Sequence, residues 1–255
     1  MYLRYVALGV ALAARPADGS GRIGMKTVAI VQSSYIPWKG TFEIIHDVDE
    51  FILFDDVQYT RRDWRNRNRI KTRDGLKWLT IPVEVSGNYK EVIHEIRVAD
   101  DGWRKSHWNS LQHAYSKSPF FDKYRDRLEA LYRNTHENSL SRINHRFLRE
   151  MMDILGLDTK LSWSMDYAPV SSRKSERLIA LCKAANATRY VSGPSARSYI
   201  DPQAFERAGI ELTYMDFDGY PEYEQLYPPF CHEVSILDLI FIRGPAAGES
   251  IWGWR

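Results

Sequence analysis

Two short apolar segments joined by one amphipathic stretch constrain the fold most. Residues 28–31 and 51–54 read Val-Ala-Ile-Val and Phe-Ile-Leu-Phe, and residues 40–47 between them repeat apolar side chains at helical spacing. A strand, a helix and a second strand within about 30 residues form a βαβ unit, which implies a parallel pair with a right-handed crossover. The sequence therefore predicts an α/β fold with a parallel or mixed, Rossmann-like sheet.

The remaining pattern predicts a single α/β domain over residues 25–244. Strands are expected at 78–83, 92–98, 190–191 and 212–217, and a helical insertion is expected at about 103–157. A further helix begins at the Asp201-Pro202 cap, and one over 233–241 carries Asp238, for which an arginine is the expected partner. Residues 245–255 are expected to be a tail.

The first 24 residues are expected to stand apart from this domain. Their short apolar run, 6–14, weakly resembles a signal peptide. We favour a start codon upstream of the native one, because Met25 leads directly into the first strand, and expect the extension to be disordered. No run reaches the roughly 18 apolar residues of a membrane span. Two cysteines without zinc-site spacing suit the cytosol, so a cytoplasmic protein without a metal site is predicted.

Residues 61–73 concentrate positive charge. They hold seven cationic side chains and one carboxylate, whereas the whole chain has a formal net charge of +2. In an extended segment, Arg65, Arg67 and Arg69 share one face and Asn66 and Asn68 the other. Guanidinium groups bind phosphate or carboxylate bidentately, so the segment is a candidate anion site. The alternative is a solvated strand edge whose charges prevent aggregation.

Three polar segments follow predicted strands, where open α/β sheets bind ligands. Residues 32–40 precede a helix N-terminus and can hold an anion. Asp55 and Asp56 can act as a base or bind Mg²⁺, or they cap a turn or pair with the arginines. Residues 192–195 with Tyr199 form a clamp, or only a Gly-Pro turn. His46, after the first helix, is a further acid or base candidate.

These motifs together resemble the WbqC-like protein family. QSSYIPWKG is similar to the family's QPxYLPWxGY opening, and FILFDDVQYTRRDWRNRNRIK to its DDVQY…WxNRNxIK block. WLTIPV, RYVSGPSARSYID and YPPFCHEVSILDLIF resemble later motifs in the same order. Ser33 departs from the family, which has proline there, and leaves the loop less rigid.

The resemblance implies an acyl- or aminoacyltransferase that modifies a nucleotide-linked amino sugar for a bacterial surface polysaccharide. Asp55, Asp56 and His46 are the catalytic candidates, and the cofactor is unknown. The predicted substrate-binding residues combine the positions matched to the family with Arg69: Gln32, Tyr35, Trp38, Gln58, Tyr59, Trp64, Asn66, Arg67, Asn68, Arg69, Ser192, Gly193, Ser195 and Tyr199.

Two other functions remain open from the sequence. One is an adenylyl-transferring enzyme or ligase, although the loop after the first strand has no histidine pair. The other is a non-catalytic module that binds sugar nucleotides or RNA. RNA is disfavoured because the basic segment is short and lacks an extended aromatic-basic platform. For the transferase, the donor is a coenzyme A thioester, a carrier-protein thioester or an aminoacyl-tRNA.

Overall fold

A computed structural model describes residues 25–84, 91–168 and 174–254. The predicted extension, residues 1–24, lies outside these ranges. The strands are β1 (Thr27–Val31), β2 (Glu50–Leu53), β3 (Arg67–Thr72), β4 (Gly75–Thr80), β5 (Val83–Glu84), β6 (Arg97–Val98), β7 (Lys160–Trp163), β8 (Arg189–Ser192) and β9 (Glu211–Tyr214). The helices are α1 (Lys39–Asp47), α2 (Gly102–Tyr115), α3 (Phe121–Arg133), α4 (Leu140–Leu155), α5 (Lys174–Ala184), α6 (Pro202–Arg207) and α7 (Ile236–Arg243).

Five of these strands form one parallel sheet in the order β7-β2-β1-β8-β9. The βαβ prediction is confirmed, since β1 and β2 pair in parallel on either side of α1 in the chain. The predicted α/β class is likewise confirmed. Strand β7 is a member of the sheet that sequence reasoning missed, and it pairs with β2 at one edge.

Alternate side chains of the central strands pack on opposite faces of the sheet. Val28, Ile30 and Ile52 belong to a core with residues of α5 and α6. Ala29 and Phe51 belong to a larger core with α1 and the helices α2–α4. Parallel strands buried on both faces are expected to be apolar throughout, which explains the continuous apolar runs.

The two strands predicted at 78–83 and 92–98 take other forms. The first is split between β4, which pairs with β3 as an antiparallel hairpin, and the two-residue β5. The second is a 3₁₀ turn at Ile93–Glu95 followed by the short β6. Ile93 and Ile96 bury their side chains in the core from this turn, and their spacing of three positions fits the 3₁₀ period and not the strand period of two.

Asp238 corrects another expectation, because its partners are not arginines. Its carboxylate accepts hydrogen bonds from the hydroxyls of Tyr115 (2.9 Å) and Tyr223 (2.7 Å) and from Nε2 of Gln225 (2.9 Å). Burial raises the pKa of this carboxyl group above its usual range, and the three donors oppose that shift. These three hydrogen bonds hold α7 against α2 and against the segment that precedes α7.

None of the helices in the described ranges combines the length and the apolar character that crossing a membrane requires. Helix α4 ends at Gly156, whose φ of 72° is a left-handed conformation that glycine adopts readily. The predicted caps at Gly156 and Asp201 are therefore both present, since the Asp201 side chain accepts from the amides of Gln203 and Ala204.

We expect Gly40→Ala to disturb the packing of Trp38 on the first turn of α1 and so to destabilise the protein. A Cβ atom at Gly40 would lie 2.4 Å from the ring of Trp38, which packs over the first turn of the helix. Relieving that overlap requires a shift of the indole and should lower the free energy of unfolding by about 1–3 kcal/mol. Gly193→Ala is the matched control, because a Cβ there meets no atom within 4 Å. Chemical denaturation checks both variants, and equal stability of the two would contradict this packing.

Candidate functional site

The carboxyl ends of β1 and β8 mark a reversal in strand order. From β1 the chain proceeds to β2 and β7 on one side, and then to β8 and β9 on the other. Ligands of open α/β sheets bind in the crevice at such a point. Gly193, Ser195 and Tyr199 follow β8 here, and Tyr199 is 63% exposed, whereas Ser192 is buried and accepts from the hydroxyl of Tyr190.

The loop after β1 is held by the arginine-asparagine segment. Arg65 donates to Oε1 of Gln32 (2.9 Å), and Asn68 donates to the carbonyl of Ile36 (2.8 Å). Asn66 donates to the carbonyl of Ile81 (2.8 Å). Asn66 and Asn68 are buried, so the two amides predicted to bind substrate fix loops in place instead. Within β3, Arg67 and Arg69 alternate with the buried Asn68 as predicted, whereas Arg65 precedes the strand and is buried.

Asp55 is fully buried and both of its carboxylate oxygens have partners. Oδ1 accepts from the backbone N–H of Ser33 (2.9 Å), and Oδ2 accepts from the hydroxyl of Ser141 on α4. Burial raises the pKa of Asp55, while Ser141 and Ser33 oppose the shift. A carboxylate so enclosed connects β2, the β1 loop and α4, and it does not reach the surface where a substrate would lie.

Asp56 and His46 occupy different surroundings from Asp55. Asp56 forms an ion pair with Arg177 on α5 and accepts from the hydroxyl of Ser164 (2.6 Å). His46 lies at the end of α1, which runs from the carboxyl end of β1 back towards the start of β2. Its ring stacks on Trp252, with 4.6 Å between ring centroids. His46 therefore lies near the amino ends of the strands, whereas the other candidates follow the carboxyl ends.

The predicted aromatic residues divide between core and surface. Tyr35 is fully buried, and its hydroxyl contacts Nδ1 of His107 (2.9 Å) and the hydroxyl of Tyr132 (2.7 Å). Tyr59 is also buried, and Trp38 packs against Phe217. Gln58 is exposed and bridges to Val92 through the backbone.

Trp64, Arg67 and Arg69 lie on the outer side of the β3–β4 hairpin. The Arg67 guanidinium carbon lies 4.3 Å from the centroid of the Trp78 ring, and Trp64 and Trp78 are 5.4 Å apart between centroids. Trp78 was predicted only as part of a strand. Its place opposite Arg69 follows from the register of the hairpin.

A basic cleft of about 1400 Å³ opens at the carboxyl end of β7, and sequence reasoning missed it. Residues of α3, α4, the 3₁₀ turn at Ile93–Glu95, β6 and the end of β7 form its walls. Ser141, which donates to Asp55, lines the cleft beside Trp163, whose indole N–H donates to the Ser141 hydroxyl (3.1 Å). The cleft contains five arginines and three histidines: Arg97, Arg127, Arg142, Arg146, Arg149, His94, His136 and His145.

Two of these arginines are available to a ligand. Arg127 and Arg146 form ion pairs with Glu150 and Glu137, respectively. Arg142 and Arg149 are exposed, and their side chains form no hydrogen bond or ion pair with any other residue in the described ranges. They lie seven positions apart on α4, about 10 Å along one helix face. The basic spacing of α4 was a signal in the sequence for this cleft.

His145 lies on α4 between these two arginines. Its ring stacks on Trp163 with 4.3 Å between centroids. Burial lowers the pKa of His145, and the charge of Arg149 lowers it further, while Asp166 opposes the shift. The imidazole is thus neutral near pH 7 and can accept a proton. Within the described ranges, no three His, Cys, Asp or Glu side chains are grouped to hold a metal ion.

Besides the arginines of the cleft, Lys39, the first residue of α1, is an unusual cation. It is buried, and among the described residues its Nζ has no hydrogen-bond partner. The Nζ atom lies 4.3 Å from the centroid of the Tyr220 ring. Burial lowers the pKa of Lys39 to about 8, although the carboxylates of Glu43 and Asp238 oppose the shift.

We expect Lys39→Met to be more stable than wild type below pH 8. Because the folded pKa is lowered to about 8 from 10.5, the unfolded chain binds more protons between these values, and wild-type stability rises with pH there. The variant's advantage, at most about 3 kcal/mol, should shrink across that window. Denaturation at several pH values measures it, with the exposed Lys183→Met as control. A difference between Lys39→Met and wild type that stays constant with pH would contradict a charged, unpaired lysine.

The sequence pattern of the WbqC-like protein family matches residues 32–250 of the chain. The chain is 49% identical over 225 residues to the uncharacterized protein Rv1507c of Mycobacterium tuberculosis, an alignment that covers 88% of this chain and 97% of that protein. No solved structure matches the chain. The extent of the family match shows that the chain belongs to the WbqC-like protein family.

Proposed function

We propose that this protein transfers an acyl or aminoacyl group to the amine of a nucleotide-linked amino sugar, as a step in bacterial surface-polysaccharide synthesis. The observation that carries the proposal is the basic cleft with its two unpartnered arginines. The family resemblance of the sequence motifs supports the substrate class. The acceptor binds in the cleft, and the reaction takes place beside His145.

The charges and size of the cleft suit a sugar nucleotide. Arg142 and Arg149 offer two planar guanidinium groups to a diphosphate, which each can bind bidentately. Small-molecule pockets have volumes of roughly 300–1000 Å³, and the cleft, at about 1400 Å³, exceeds that range. It therefore has room for a sugar nucleotide and the reactive end of a donor.

The chemical step requires one proton acceptor. The amine nitrogen attacks the donor's carbonyl carbon, the new C–N bond forms, and the bond to the thiolate or alkoxide leaving group breaks. His145 takes the proton from the attacking nitrogen and can return it to the leaving group, so charge and atoms balance. We assign the base to His145 because Asp55 is buried and Asp56 is paired with Arg177.

Asp55 acts in this proposal as a positioning residue. It accepts from Ser141, which in turn accepts from Trp163, and Trp163 stacks on His145. This chain of contacts fixes the His145 ring at the cleft wall. The predicted substrate-binding role of Gly193, Ser195 and Tyr199 is retained as a proposal for the neighbouring crevice between β1 and β8.

The product assay is the first test. The protein is incubated with UDP- and dTDP-linked amino sugars and with activated donors, and mass spectrometry follows the N-acylated sugar. Arg142→Ala and Arg149→Ala should each weaken acceptor binding by about tenfold to a hundredfold, the loss of one charge-assisted hydrogen bond. Stability should change little, because both side chains are exposed.

Arg125→Ala, on α3 and paired with Asp122 outside the cleft, is the matched control. Normal acceptor binding by both cleft variants would contradict the assignment of the cleft. Consumption of ATP with release of pyrophosphate would instead support the adenylyl-transferring alternative.

The pH profile tests the role of His145. Transfer at saturating substrate should decline as pH falls through a pKa below 6.5, because protonated imidazole cannot accept a proton. In Arg149→Ala this limb should move to higher pH, since Arg149 lowers the His145 pKa. His145→Gln should lose the limb together with most activity. An unmoved limb in Arg149→Ala, or full activity in His145→Gln, would exclude His145 as the base.

A further inference from the structure

The outer face of the β3–β4 hairpin combines exposed aromatic rings with arginines. We define the hairpin face as Trp64, Arg67, Arg69, Leu76 and Trp78. In the hairpin register Arg69 pairs with Trp78, while Asn68, Ile70 and Leu79 are buried on the other face. Of six exposed large apolar side chains in the described ranges, this face holds three, each 40% or 41% exposed.

The rings and guanidinium groups of the hairpin face pack against one another. The Arg69 guanidinium carbon lies 5.3 Å from the centroid of Trp78 and 5.5 Å from that of Trp64. Arg67 lies closer to Trp78, at 4.3 Å, and donates to the carbonyl of Arg62. Arginines held beside indoles enlarge the aromatic platform and keep positive charge next to it.

The charge around this platform is mainly positive. Residues 61–78 contain eight cationic side chains, of which Arg65 and Lys71 are buried, and two carboxylates, although the chain as a whole has a net charge of only +2. Glu233 adds one more carboxylate, which pairs with Arg69 (2.6 Å). Six-residue strands extend for about 20 Å, the span of a few nucleotides in a single strand.

We propose that the hairpin face binds single-stranded RNA, and that the donor of the transfer reaction is an aminoacyl group carried on the 3′ end of such an RNA. The donor assignment rests on the proposed function, whereas RNA binding does not. Unpaired bases stack on exposed aromatic rings and guanidinium planes, and the surrounding cations hold the phosphates. Only the folded hairpin creates this platform, because Trp78 comes from the strand opposite the arginines.

The three donor classes place different demands on the surface. A coenzyme A donor offers a single base, which does not require two exposed indoles over an extended cationic face. An acidic carrier protein matches the positive charge but gives no role to the stacked rings. Single-stranded RNA uses both features. Asn144 on α4, the helix that also lines the cleft, donates to the carbonyl of Arg65 (2.9 Å), which follows Trp64 of the hairpin face in the chain.

Fluorescence anisotropy with a labelled, unstructured RNA of about ten nucleotides tests the binding. Wild type should bind it more tightly than the blunt duplex of the same sequence, with affinity falling steeply as salt rises. Trp64→Leu and Trp78→Leu should each weaken binding about tenfold, the loss of one stacked base. Arg67→Lys with Arg69→Lys keeps the charge and should still weaken binding, because lysine does not present a planar group.

Arg133→Ala, an exposed cation on α3 away from the hairpin, is the control and should bind as wild type does. Circular dichroism confirms that each variant is folded, and both indoles are exposed enough for leucine to be tolerated. Duplex binding as tight as single-strand binding, unchanged affinity in both tryptophan variants, or displacement of the RNA by equimolar coenzyme A or an acidic carrier protein would overturn the proposal.

The cleft variants separate this inference from the proposed function. Arg142→Ala with Arg149→Ala should lose acceptor binding and keep RNA binding. If the transfer assay fails with every donor while RNA binding depends on Trp64 and Trp78, the RNA-binding face stands and the transferase proposal fails. If transfer proceeds from a thioester donor and is insensitive to RNA, the donor assignment fails and the transferase proposal stands.

Discussion

The buried carboxylate of Asp55 is the contact on which the site depends. Two residues after β2, it accepts from the Ser33 N–H in the loop after β1 and from the Ser141 hydroxyl on α4. An unpartnered carboxylate in the core would be strongly destabilising, so the position of each donor is fixed by this one group. The sheet, the loop after β1 and helix α4 therefore meet at Asp55.

The sequence predicts the central fold well, because the fold follows from local patterns. Parallel strands buried on both faces leave continuous apolar runs, and the long helices leave apolar repeats with recognisable caps such as Gly156. Strand β7, with only four residues at the sheet edge, leaves no comparable pattern. Residues 92–98 show the reverse case, because their β-branched side chains favour a strand, although Ile93 and Ile96 are buried from a 3₁₀ turn.

The candidate site was less predictable, because its residues meet through distant contacts. Asp55 follows a strand end, which favours catalysis, and only the fold shows that a backbone amide 22 positions earlier and a serine on α4 occupy it. The cleft joins α4 to a turn near His94 and to the end of β7, and no single segment contains that combination. Within α4, the spacing of Arg142, His145, Arg146 and Arg149 was a readable signal that a basic face exists.

The proposed binding sites of acceptor and donor are separate surfaces, the cleft and the hairpin face. A crystal structure of the protein with a UDP-linked amino sugar tests that assignment most directly. We expect the diphosphate between Arg142 and Arg149, with the sugar amine within hydrogen-bond distance of the His145 ring. A diphosphate bound at Arg67 and Arg69, with the cleft free of the ligand, would contradict it.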